Sequence, residues 1–342
     1  MTAHAQELRE IAQKMVATGK GILAADESSG TIKKRFDSIN TESSEQNRRD
    51  YREFLFRTTD AMKEHISGVI LFDETLRQTA ADGTSLCQVI CETGAIPGIK
   101  VDTGAKDLAG SPGEKITEGL DGLRERFAEY HQLGARFAKW RAVINIGPGI
   151  PTQNCLNANA HALARYAALA QEAGIVPIVE PEVIMDGDHD IDRCFEVTSA
   201  ALKALFSALE EQNVMLEGVI LKPNMVLSGS TCVVQASDEE IAEKTIRCFR
   251  ENVPPTLPGI VFLSGGQSDK QATSRLNAMN KIADLPWKLS FSYGRALQAA
   301  PLKAWCGKAE NVTAAQSAFA HRARMNALAA CGKWDPSLET SS

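Results

Sequence analysis

The chain reads as α/β, a (β/α)8 TIM barrel in one domain over residues 1–342 with extra helices at both ends, and three observations predict it. Short apolar runs recur about every forty residues, helical patterns fill most of the intervals between them, and the runs number eight. An open doubly wound sheet would more often show five or six strands and a glycine fingerprint after the first. No GxGxxG is present, and the ATGKGI segment lacks both the upstream glycine and the Ser/Thr of a phosphate loop.

The predicted strands run in order through 21–26 (GILAAD), 66–74 (ISGVILFDE), 96–102 (IPGIKVD) and 137–146 (FAKWRAVINI). They continue through 175–183 (IVPIVEPEV), 216–224 (LEGVILKPN), 259–265 (GIVFLSG) and 288–294 (KLSFSYG). Helical periodicity is strong in EQNRRDYREFLFRTTDAMK, GLDGLRERFAEYHQLG, ANAHALARYAALAQEAG, DIDRCFEVTSAALKALFSALEEQN and DEEIAEKTIRCFREN. An amphipathic helix is expected over 3–17, and closing helices with a short polar tail over 302–342. No Pro-, Gly- or Ser-rich linker divides the chain.

Bulk composition narrows the function classes. Of 342 residues, 44% are hydrophobic and 23% charged, ample for a large core. The formal charge of −6 and pI near 5.7 supply no general attraction to nucleic acid or anionic membrane, so any phosphate binding should be local. Cysteines at 87, 91, 155, 194, 232, 248, 306 and 331 form no CxxC pair and read as reduced cytosolic thiols. The acid-containing N-terminus is unlike a signal or transit peptide, and no apolar run is long enough for a membrane span. A cytoplasmic protein is expected.

Lys222 is the residue most in need of a reason. It follows three large aliphatic residues in GVILKPNM, and an isolated ammonium in an apolar interior tends to lose its proton. A neutral lysine attacks carbonyls to form a Schiff base. The bland alternative is a strand-end lysine that reaches solvent or pairs with a carboxylate. Other ionisable residues weigh against it, because they gather where barrel enzymes work, at the C-terminal ends of strands. The first run ends in Asp26, the third carries Lys100 and Asp102, the fourth Lys139 and Arg141, the fifth Glu180 and Glu182, and Arg295 follows the eighth. Each pair is two residues apart, so both members share one strand face.

The roles follow from imine chemistry. A lysine of ordinary pKa is free amine in only about one molecule in 2,500 at neutral pH, so burial and a second cation must lower its value. Lys139 is a candidate for that cation. Glu180 or Glu182 suits the proton shuttle if the like charge of its neighbour raises it toward neutrality, and Asp26 is a candidate base for a substrate hydroxyl. Two loops look built for phosphate, SGGQS (264–268) after the seventh run and SYGR (292–295) after the eighth. A second anion site is expected near DESSGTIKKR (26–35), where the alternative is an N-cap and a solvated basic face. Two phosphate sites flanking an imine lysine suggest a sugar bisphosphate.

GKGILAADES, GVILF, GIKVD, FAKWR, VPIVEPE, ILKPNM, FLSGGQS and FSYGRALQ, in this order across nearly the whole chain, resemble class I fructose-1,6-bisphosphate aldolases. The resemblance implies a (β/α)8 lyase of glycolysis and gluconeogenesis that needs neither metal nor other cofactor. Such an enzyme cleaves fructose 1,6-bisphosphate to dihydroxyacetone phosphate and glyceraldehyde 3-phosphate, and a homotetramer is implied. It carries over Lys222 as the Schiff-base lysine and Glu180 as main acid/base, supported by Glu182, Lys139 and Asp26. Ser264, Gly265, Gly266, Ser292, Gly294 and Arg295 match one phosphate site; Ser28, Thr31, Arg35, Lys100 and Arg141 match residues around the other. Arg48 lies in an NRR segment that the family shares. The sequence departs from the family at Thr31, where serine is usual, and at the end, which lacks the tyrosine that closes animal members about twenty residues further on. Asp26, a water or another acid would then serve that proton step.

Three rivals remain on the residues alone. MDGDHD (185–190) could signal a metal-dependent lyase, but the histidines show no HxH or HExxH spacing and the segment reads as a loop and N-cap. Transaldolase or keto-acid aldolase would not need two phosphate sites, although sedoheptulose 1,7-bisphosphate fits the same features. A non-catalytic scaffold would have no need of Lys222 or Glu180.

Overall fold

In a computed structural model describing residues 4–340, helix α1 (Ala5–Met15) leads into β1 (Gly21–Ala25), and α2 (Ser29–Asp37), α3 (Glu45–Phe56) and α4 (Thr59–His65) precede β2 (Ile66–Leu71). Helices α5 (Asp73–Arg77) and α6 (Leu86–Glu92) precede β3 (Ile96–Lys100), and a small hairpin of β4 (Gly104–Asp107) and β5 (Lys115–Glu118) follows. Then come α7 (Leu123–Gln132), β6 (Phe137–Ile144), α8 (Gln153–Glu172), β7 (Val176–Val183) and α9 (Ile191–Glu211). Strand β8 (Ile220–Leu221), α10 (Asp238–Asn252), β9 (Gly259–Phe262), α11 (Asp269–Asn280), β10 (Lys288–Tyr293), α12 (Arg295–Trp305) and α13 (Val312–Ala329) complete the order.

Eight strands close into one parallel barrel in the order β1-β10-β9-β8-β7-β6-β3-β2. The expected eight-strand barrel is therefore present. Two sequence expectations are corrected, and one element is added. The run at 216–224 yields only two strand residues, because 216–218 forms a 3-10 turn and Pro223 has no N–H to extend the ladder. The predicted continuous helix through EQNRRDYREFLFRTTDAMK is broken between α3 and α4 at Arg57 and Thr58. The β4–β5 hairpin, in whose strands only Thr117 is buried, carries too little apolar alternation to be read in advance. The predicted helix over 3–17 is observed from Ala5 to Met15; Ala3 lies outside the described residues, as do residues 341 and 342 of the predicted tail.

Two-residue periodicity separates the layers. Along β6, Ala138, Trp140 and Ala142 face the helices, where Trp140 stacks on Tyr166 of α8 with ring centroids 5.6 Å apart. Phe137 faces the barrel axis with Ile22, Ala24, Ile70, Val176, Ile178, Ile220 and Val261. Leu8, Ile11, Ala12 and Met15 of α1 pack into the same cluster, so the amphipathic N-terminal helix plugs the lower end of the barrel. The same inward faces, continued upward, carry Asp26, Lys139, Arg141, Glu180, Glu182 and Lys222. No helix among the described residues is long and apolar enough to cross a membrane.

Candidate active site

At the C-terminal mouth, these charges line a cleft of about 250 Å³ together with Ser28, Thr31, Arg35, Lys100, Ser264, Gly265, Ser292, Gly294 and Arg295. Lys222 is 4% exposed, and its Nζ lies 3.2 Å from Glu180 Oε1. Its backbone N–H donates to Val179 O at 2.8 Å, the last ladder bond on that side. Beyond it the Asn224 side chain takes over from the backbone, accepting from Val183 N–H at 3.0 Å and donating to Thr198 Oγ1 at 3.1 Å. A side-chain amide thus continues the β7–β8 register past the proline.

Lys139 occupies the centre. Its Nζ is 2.7 Å from Asp26 Oδ2 and 3.4 Å from Glu180 Oε2, all three side chains being at least 87% buried. Burial alone would depress the lysine, but the carboxylates of Asp26 and Glu180 outweigh it and hold Lys139 charged well above the ordinary range. Burial would likewise raise Asp26, yet the charges of Lys139, Lys222 and Lys100 hold it well below the usual carboxylate range. Glu180 responds in the same way: burial raises it, and Lys222, Lys139 and Arg141 together bring it below its ordinary value.

This corrects two expectations. Glu180 is not raised toward neutrality by Glu182, because Glu182 pairs with Arg141 while Glu180 sits between two lysines. Lys139 is not an isolated second cation beside Lys222, since two carboxylates share its charge. Glu180 is thus a carboxylate in contact with both amines.

Around this centre lie hydroxyls, backbone groups and cations suited to anions. On one side, Ser264 and Gly265 follow β9, while Ser292 ends near the top of β10 with an Oγ that has no hydrogen-bond partner. Gly265 approaches Glu182 closely, and a Cβ there would stand 2.9 Å from Glu182 Oε1 and push that carboxylate aside. Gly266, at φ +73°, turns away from the cleft and packs against Met185; it does not line the mouth. Next to them, beyond β1, which pairs with β10, Ser28 and Thr31 at the start of α2 have their hydroxyl oxygens 3.1 Å apart. Lys100 Nζ is held 2.8 Å from Asp102 Oδ1, and Asp102 also accepts from the Arg141 backbone N–H at 3.3 Å.

Arg48 is not brought to the cleft: on α3 it makes a two-pronged ion pair with Glu74, at 2.8 and 2.6 Å. Asp102, which the sequence places with Lys100 on one strand face but without a role, orients that lysine. One site member was missed. Glu27, beside Asp26, is buried against Arg35, and nothing in residue order distinguishes it from a solvated acid. In the MDGDHD segment, Asp190 caps α9 by accepting from Arg193 N–H at 2.8 Å, and among the described residues no group of three or more His, Cys, Asp or Glu side chains is arranged to hold a metal ion.

Comparison with known proteins agrees with this geometry. The family described as "Fructose-bisphosphate aldolase class-I" matches residues 7–342. A probable fructose-bisphosphate aldolase class 1 from Xanthomonas campestris pv. campestris is 61% identical, over 96% of this chain and 98% of that protein. The fructose-bisphosphate aldolase of Dictyostelium discoideum is 51% identical, over 99% and 95%. A crystallised Plasmodium falciparum fructose-bisphosphate aldolase, in complex with TRAP and a small-molecule inhibitor, superposes with a TM-score of 0.96 at 48% identity, covering 98% of this chain and 97% of that one. A buried lysine-carboxylate centre in an eight-stranded barrel, and relatives matching it almost end to end, place this chain in the class-I fructose-bisphosphate aldolase family.

Proposed function

We propose that the chain cleaves fructose 1,6-bisphosphate reversibly to dihydroxyacetone phosphate and glyceraldehyde 3-phosphate through an imine on Lys222. The observation that carries this reading is the buried Lys222 amine, 3.2 Å from the Glu180 carboxylate at the mouth of the barrel. Glu180 takes a proton from the amine, whose lone pair then attacks the C2 carbonyl carbon of the ketose. Proton delivery to the former carbonyl oxygen releases it as water and leaves an iminium.

The C3–C4 bond then breaks, its electron pair moving into the iminium to give an enamine, while the C4 hydroxyl passes its proton to a carboxylate and the aldehyde departs. Asp26, ionised beside Lys139, suits that role. Return of a proton to C3 and attack by water restore the Lys222 amine and release the ketone phosphate. Lys139 stabilises charge while protons move between Asp26 and Glu180. Ser264, Gly265, Ser292, Gly294 and Arg295 suit one phosphate; Ser28, Thr31, Arg35, Lys100 and Arg141 suit the other. The chemistry draws only on these side chains and water, so a chelator should leave the rate unchanged.

The test is to incubate the protein with dihydroxyacetone phosphate, reduce with borohydride and map the adduct by mass spectrometry. A mass gain on Lys222 is expected. No adduct, or activity abolished by chelator and restored by zinc, would overturn the imine reading.

A further inference from the structure

The buried carboxylate of Glu27 joins two of the elements that carry arginines of the cleft, α2 with Arg35 and α12 with Arg295. Glu27 Oε1 is 2.6 Å from Arg35 Nη1 of α2 and accepts from Gln298 Nε2 of α12 at 2.8 Å. Gln298 lies three residues after Arg295, one turn along the same helix, and also donates to Ala24 O at 2.6 Å and accepts from Tyr51 Oη at 3.0 Å. The other oxygen, Oε2, has no hydrogen-bond partner and stands 3.8 Å from Arg52 Nη2. Arg52 in turn donates to the Glu27 backbone carbonyl at 2.9 Å and to Thr75 Oγ1 at 2.6 Å, so the carboxylate's own backbone is tied down.

Arg35 is gripped by one nitrogen only. Its side chain remains 21% exposed in the cleft, and its Nη2 lies 3.6 Å from where a Cβ of Gly294 would stand, beside the loop that leads into Arg295. A long cationic side chain left unpinned samples many rotamers, and ordering it on binding opposes affinity. Pinning Nη1 while Nη2 stays free removes part of that cost before the anion arrives.

We propose that Glu27 is a positioning residue for phosphate recognition: by holding Arg35 directly and α12 through Gln298, it sets the spacing between Arg35 and Arg295 across the anion-binding side of the cleft. The inference rests on the aldolase reading above for its substrate but not for its geometry. The Glu27 carboxylate contacts Arg35, Gln298 and Arg52 rather than Lys222 or Glu180, so its loss should weaken phosphate-dependent binding and spare the chemical step.

Glu27→Gln keeps the shape and removes the charge. It should raise KM for fructose 1,6-bisphosphate, and the inhibition constant of inorganic phosphate, by about tenfold while kcat changes less than about threefold. In an Arg35→Met background the same substitution should cost less than in the unsubstituted protein, because the share that runs through Arg35 is already gone and only the Gln298 arm remains. Additive losses, or a kcat loss with KM unchanged, would overturn the proposal. Protection of the protein by inorganic phosphate against thermal unfolding reads the same site without turnover: a shift reduced by Glu27→Gln supports it, and equal shifts, including none in either protein, overturn it. Failure of the unsubstituted protein to cleave the bisphosphate would sink the aldolase reading while leaving this measurement intact. If Glu27→Gln does not fold, Glu27→Asp carries the test, since it keeps the charge but withdraws it from Arg35; unchanged KM and phosphate protection in that variant would overturn the proposal.

Discussion

Glu180 bridges Lys222 and Lys139, its Oε1 3.2 Å from one amine and its Oε2 3.4 Å from the other. One carboxylate thus touches both the amine at the end of β8 and the cation on β6 that pairs with Asp26 after β1, and the proton path proposed above runs through it.

Glu180→Gln should therefore lower kcat by about 10²–10⁴-fold, the usual reach of a lost acid/base group. Borohydride trapping on Lys222 should slow in parallel, while circular dichroism stays that of the unsubstituted protein. Trapping and turnover at ordinary rates would remove Glu180 from the proton path.

Lys139→Met takes one cation from between two buried carboxylates. Leaving them unneutralised costs about 3–5 kcal/mol in buried pairs generally, so both stability and kcat should fall. Adding Asp26→Asn should recover part of the stability and none of the turnover, which urea unfolding and steady-state rates would separate. Recovery of turnover would show that the pair is structural.

Acid should weaken the fold through this cluster. Asp26 and Glu180 are both held below their ordinary values, so their stabilising contribution is present in full above the unfolded values near 4 and is lost as pH falls through the folded ones. Asp26→Asn removes one such carboxylate. Its unfolding free energy should fall less steeply than that of the unsubstituted protein between about pH 5 and 2, and an equal slope would contradict the assignment.

Gly266→Ala should destabilise the loop after β9 by about 1–2 kcal/mol from left-handed backbone strain, with a further loss because its Cβ would collide with Met185. Adding Met185→Ala should relieve the collision and leave the strain. Urea unfolding of both variants checks this, and full recovery would mean that crowding alone was responsible.

Asn224→Ala should leave the Val183 N–H buried without its acceptor, at about 1–3 kcal/mol. Because that bond ties the strand end after Glu182 to the one after Lys222, kcat should fall with stability. A stability loss at constant kcat would show that the Lys222 position does not depend on it.

Residue order alone carried the barrel, because parallel strands under helices leave an apolar signature and a period of two that place Lys139 and Arg141, or Glu180 and Glu182, on one face. It also carried Lys222, whose charge is out of keeping with its apolar neighbours. Pairings across strands were beyond it. That Glu180 serves two lysines while Glu182 serves Arg141, that Arg48 turns to Glu74, and that Glu27 holds Arg35 all depend on register and tilt around a closed sheet. A face shared along one strand says which residues look inward; how high each stands, and which charge from another strand meets it there, is set when the barrel closes.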